Sequence, residues 1–127
     1  MVSFDMKEPF SGDFYKHYKG KRYFLINGQT ENGGFTDFAT GMADVGGFAG
    51  TFVDAEDGVL SKNPIEHGTV DSTIGFEIDL APQSYKTVYY WIAVGNRFNE
   101  VRKINRIVLG KGPDSLMRET ENHWVKW

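Results

Sequence analysis

Carboxylates come first, because a pair of them can cleave a glycosidic bond and a cluster can hold a hard cation. The densest acidic run is Asp54-Ala55-Glu56-Asp57-Gly58. Its spacing does not meet the EF-hand pattern, and the two carboxyl groups of a glycosidase usually come from separate elements. Asp-Gly is the chemistry of a turn, so solvated or turn-capping carboxylates are expected, and an independent hydrolase built on Asp54, Glu56 and Asp57 is the outlying alternative. His17, His67 and His123 are too dispersed for a zinc site by spacing, and there is no cysteine to assist them. No G-x-S-x-G elbow occurs, and His67, Asp71 and Ser72 fall on one short segment, which argues against a Ser-His-Asp triad. The glycines fit neither the dinucleotide nor the phosphate-loop pattern, so no cofactor is expected. Tyr85, Tyr89 and Trp91 alternate along one segment, so on a strand they share a face, where they either pack a core or stack on a sugar ring.

The elements that must position these residues are those of one domain with an appendage, as 127 residues allow. Apolar residues are 40% of the chain and aromatics 15%, a share that favours strands. Tyr23-Phe24-Leu25-Ile26 reads as a strand closed by a turn at Asn27-Gly28. Gly33, Gly34, Gly41, Gly46, Gly47 and Gly50 then punctuate short aromatic pieces around Phe35, Phe38, Phe48 and Phe52, as short strands and tight turns require. From Ser72 to Leu80 the alternation Ile74, Phe76, Ile78, Leu80 predicts a strand with one solvated face. A turn over Ala81-Pro82-Gln83-Ser84 leads to a second strand, Tyr85 to Val94, which is apolar on both faces and needs cover on both.

Beyond Gly95 the period lengthens. Val101, Ile104, Ile107 and Val108, with Phe98, recur at helical spacing opposite Glu100, Arg102, Lys103 and Arg106. Gly110 to Pro113 breaks that helix, and a second one carries Leu116, Met117, Thr120 and Trp124. The expected fold is therefore mainly β: an antiparallel β-sandwich over residues 1–95, followed by a helical linker over 96–127. Short helices are marginal in water unless their apolar stripe is packed, so the stripe and the terminal tryptophans read as a contact surface. Fourteen basic against seventeen acidic residues, with no Lys/Arg block, exclude the electrostatic footprint of a nucleic-acid binder. No apolar run reaches membrane-spanning length, and MVSFDMKEPF has neither part of a signal peptide. The lack of cysteine fits a cytoplasmic setting.

One region is specific enough to suggest a family. Asp54-Ala55-Glu56-Asp57-Gly58, then Leu60 to Gly68 (LSKNPIEHG) and Val70 to Gly75 (VDSTIG), resembles the N-terminal β-sandwich of the prokaryotic glucoamylases, glycoside hydrolase family 15. Tyr18 to Gly28 is similar to a strand of that domain. Asn105-Arg106, Val108-Leu109, Lys111-Gly112-Pro113, Thr120-Glu121, Trp124 and Trp127 resemble its linker helices, while residues 1–17 match poorly.

The resemblance implies a supersandwich domain and a linker leading to an (α/α)6 barrel that hydrolyses α-glucosidic bonds with inversion, as in glucoamylases, glucodextranases and trehalase-like enzymes. Both catalytic glutamates belong to that barrel, so no residue here inherits a catalytic role. What it implies instead is a scaffold docked on the barrel of the same polypeptide. A polar loop bearing Asn63, Pro64, His67 and Asp71 would face the cleft, and Val101, Ile104, Val108, Trp124 and Trp127 would make the linker contacts. An autonomous carbohydrate-binding module, with weak saccharide contact, is the rival expectation, and self-association through the helical stripe is a further one.

Overall fold

The computed structural model describes residues 3–7, 14–19, 22–42 and 50–127; the pieces expected around Gly46, Gly47 and Phe48 lie outside them. In chain order the strands are β1 (Ser3–Lys7), β2 (Phe14–Lys19), β3 (Arg22–Thr30), β4 (Gly33–Gly34) and β5 (Asp37–Met42). A short helix α1 (Gly50–Asp54) precedes β6 (Ile65–Gly68), β7 (Val70–Gly75) and β8 (Tyr89–Gly95). Two helices end the chain, α2 (Phe98–Lys111) and α3 (Pro113–Val125). The strands form a six-stranded sheet, β4-β3-β2-β1-β6 with β8 on β3, and a two-stranded sheet, β5-β7; every pairing is antiparallel. Only Thr69 separates β6 in the larger sheet from β7 in the smaller, so the chain crosses between sheets at that point. The architecture is thus mixed, with antiparallel sheets of unequal size and helices appended, rather than strands alone.

The register of β3 on β8 explains where the core lies. Leu25 stands opposite Ala93 and Asn27 opposite Trp91, so these four share a face. Onto that face α2 lays Val101 and Asn105, one helical turn apart, and both are buried. Leu25, Ala93 and Val101 form the buried apolar cluster, with Tyr23 and Phe98 packed against it. Val101, expected to reach toward another domain, is 0% exposed inside this one. The helical stripe predicted from the sequence therefore divides: Val101 belongs to the chain's own core, while Ile104 and Ile107 stay exposed.

Three strands differ in extent from the sequence expectation. β3 does not turn at Asn27-Gly28 but continues to Thr30. The turn residues are Glu31 and Asn32. Asn27 is held in the sheet because its Oδ1 accepts the Gly28 N–H at 2.8 Å and its Nδ2 donates to Asn105 Oδ1 at 3.2 Å. Gly28 is required there by close approach, since a Cβ would lie 2.7 Å from the Phe76 ring and 2.8 Å from the Tyr89 carbonyl oxygen. Gly28→Ala is expected to cost about 2 kcal/mol, because the backbone oxygen cannot step aside as a side chain could. Chemical denaturation of the two forms checks this.

β7 stops at Gly75, so the predicted strand of residues 72–80 is cut short. Phe76 leaves the ladder to pack over Gly28, and Ile78 and Leu80 remain exposed. The next strand begins at Tyr89 rather than Tyr85. The helix break is a single residue: Gly112, at φ 82°, donates its N–H to the Val108 carbonyl at 2.8 Å, and Pro113 opens α3. No helix among the described residues is long and apolar enough to cross a membrane.

Candidate functional site

The feature that stands apart from the packed body is α3. None of its residues is buried, although it carries Leu116, Met117 and Trp124. Leu116, Met117, Thr120, Glu121 and Trp124 line a shallow groove of about 470 Å³ along one side of the helix. Trp124 is 68% exposed, and the rings of Trp124 and Trp127 lie 5.7 and 6.3 Å from His123, so the end of the helix presents an aromatic cluster to solvent. One polar contact ties α3 to α2, and two more lie within α3 itself. Lys111 Nζ donates to Glu119 at 2.7 Å, Arg118 pairs with Asp114 one turn earlier, and the Thr120 hydroxyl donates to the Leu116 carbonyl at 2.8 Å. Such exposed pairs contribute little to stability. An apolar stripe held this way is available to a partner surface.

α2 differs. Asn105 Oδ1 accepts both Asn27 Nδ2 and Trp91 Nε1, the latter at 2.9 Å. Glu100 Oε2 accepts the Asn96 N–H at 2.9 Å just before the helix starts. A polar residue on the buried stripe was not singled out by apolar periodicity; its i+4 spacing from Val101 is the signal that could have found it.

The segment carrying Asn63, Pro64, His67 and Asp71 is mostly strand rather than a cleft-facing loop, because His67 lies in β6 and Asp71 in β7. Asn63 is engaged with β5: its Nδ2 donates to the Thr40 carbonyl at 2.9 Å and its own carbonyl accepts the Thr40 N–H at 3.0 Å. Both carboxylate oxygens of Asp71 accept the Thr51 N–H, at 3.1 and 3.0 Å, which fixes the start of α1. Pro64 and His67 have exposed side chains, whereas the bonds of Asn63 and Asp71 run to Thr40 and Thr51.

The acidic run behaves as turn chemistry. Asp57 Oδ1 accepts the Val59 N–H at 2.9 Å, and Asp54 Oδ2 accepts the Ser61 N–H at 2.8 Å. No group of three potential metal ligands comes together among the described residues. Partial burial of the half-exposed Tyr90 raises the pKa of its phenol above the ordinary value, which disfavours the phenolate and moves it away from acid–base work near neutrality.

The three aromatic residues expected on one face have separate fates. Trp91 is tied to Asn105 and Tyr89 is half-buried, whereas Tyr85 is 89% exposed. Tyr85 borders a cleft of about 220 Å³ that also includes Gln29, Glu31, Lys86 and Tyr89, with Lys86 and Glu31 paired across it. No family model, no curated protein and no solved structure matches this chain.

Proposed function

We propose that this chain is a non-catalytic scaffold and docking domain of a glucoamylase-type glycoside hydrolase, its partner an inverting (α/α)6 barrel in the same polypeptide. The observation that carries the reading is α3, an amphipathic helix with no fully buried residue that presents Met117 and Trp124, with Trp127 just beyond its end. A helix of this length holds its shape in water mainly by packing its stripe, and the described residues leave most of this one uncovered. The residues of the acidic turn and of β6 and β7, which carry the family resemblance, support the same reading. In it the two sheets are layers of a β-sandwich meeting where Phe76 lies over Gly28. The setting is cytoplasmic, in keeping with a sequence free of cysteine. Docking runs through α3 and the exposed Ile104 edge of α2, and neither Val101 nor the Asn63–Asp71 segment takes part.

The test is a titration of the chain into a separately produced glucoamylase-type barrel that lacks its own sandwich. Binding is expected to saturate and to weaken by about tenfold or more on Met117→Asp or Trp124→Asp, as loss of a central apolar anchor does. The chain alone is expected to release no glucose from maltotriose. Equal binding by the variants, or glucose released by the chain, overturns the reading.

The exposure of Tyr85 favours a second reading, a carbohydrate-binding module whose ring stacks on a pyranose while Glu31, Lys86 and Gln29 meet its hydroxyl groups. Saturable maltotriose binding that disappears on Tyr85→Ala supports it. Titration with no saturation at millimolar sugar excludes it.

A further inference from the structure

β8 pairs with β3 along one edge, and along its other edge it has no strand partner among the described residues. No turn or loop of the described residues bonds to its backbone there either. Free edges are ordinarily blunted by a charge, a proline or a bulge, because their unpaired N–H and C=O groups are a template for another strand. The segment Thr87 to Gly95, TVYYWIAVG, contains neither a charged residue nor a proline. The strand is also held firmly: on one face Ala93 is buried and Trp91 is tied to Asn105. On the other face Tyr90, Ile92 and Val94 are each about half exposed.

We propose that the free edge of β8 pairs antiparallel with the same edge of a second copy of this chain, about a two-fold axis at Ile92. The occupant follows from charge and symmetry. An uncharged edge offers nothing to select an acidic or a basic strand, whereas it is complementary to itself. Pairing centred on Ile92 sets Ile92 opposite Ile92 and Tyr90 opposite Val94 on one face, and Trp91 opposite Ala93 on the other. These are apolar cross-strand pairs of the favourable kind, with no like charges facing each other. The nearest flanking cation on the N-terminal side, Lys86, is already paired with Glu31 in its own copy. The proposal does not rest on the docking reading, which concerns α3.

Sedimentation equilibrium of the whole chain from about 1 μM to about 500 μM is the experiment, because association at an edge follows mass action. The unmodified chain is expected to pass from one to two copies. Ile92→Lys and Ile92→Glu, at a half-exposed position where the fold persists, are each expected to stay monomeric, and their equimolar mixture to recover the dimer as Lys meets Glu across the axis. In the unmodified chain, the outward amides of residues 89–95 slow in hydrogen exchange by about tenfold or more as the dimer forms, while those bonded to β3 do not change. A chain that is monomeric throughout, an Ile92→Lys dimer as tight as the unmodified one, a mixture that stays monomeric, or amides indifferent to concentration would each overturn the proposal.

Discussion

Val101→Asp lowers the stability of the chain by about 4 kcal/mol or more, the cost of placing a carboxylate with no partner in a closed apolar cluster. Val101 touches that cluster from α2 and is fully buried there, beside Leu25 and Ala93. Trp124→Asp, one helix later, changes stability by no more than about 0.5 kcal/mol, because a side chain 68% exposed, beside the ring of its neighbour His123, loses little on folding. Urea denaturation followed by far-ultraviolet circular dichroism measures both. The pair of results separates a helix that belongs to the sheet from one that merely follows it, and equal losses at the two positions would contradict that division.

Asn105→Leu is the second large loss, about 3 kcal/mol, although leucine is close in size to asparagine and more apolar. The reason is what it leaves behind. Asn105 Oδ1 is the acceptor for Asn27 Nδ2 and for Trp91 Nε1, and a buried donor without an acceptor costs about 1–3 kcal/mol. Asn27 is 1% exposed, so water cannot replace the lost partner at that donor. A double-mutant cycle with Asn27→Ala is expected to show coupling of about 1 kcal/mol, since removing Asn27 also removes one stranded donor. Strict additivity would mean that the hydrogen bond carries no weight.

That same triad shows where sequence reading succeeds and where it stops. The helical stripe at Val101 is legible because three- and four-residue spacing is a local property. Asn27 is not, because the partner that keeps it in a strand lies 78 residues away, and Asn-Gly by itself signals a turn. Alternation from Ile74 to Leu80 is real in the sequence, yet it states only that a strand could form there. β7 ends at Gly75 because its partner β5 begins opposite it at Asp37, and Phe76 beyond lies over Gly28.

The candidate site divides along similar lines. Trp124, on a short amphipathic helix, and Trp127, just beyond its end, were legible as surface residues. Asn63 and Asp71 read as free polar groups, but they satisfy the backbone at Thr40 and Thr51. Polar character alone does not distinguish a residue that waits for a ligand from one that completes the hydrogen bonds of its own fold. Tyr85, Tyr89 and Trp91 show the converse: one spacing, yet only Tyr85 stays open to solvent, because strand pairing begins after it.

Hydrogen exchange resolved by residue along the two terminal helices tests the docking account most directly. In the chain alone, amides of α2 facing the sheet are expected to be protected to the level of global unfolding, while those of α3 beyond its first turn exchange near the rate of an open helix. Adding a saturating glucoamylase-type barrel is expected to slow α3 by about tenfold or more and leave α2 unchanged. Protection of α3 equal to that of α2 in the chain alone, or an α3 indifferent to the barrel, would contradict it.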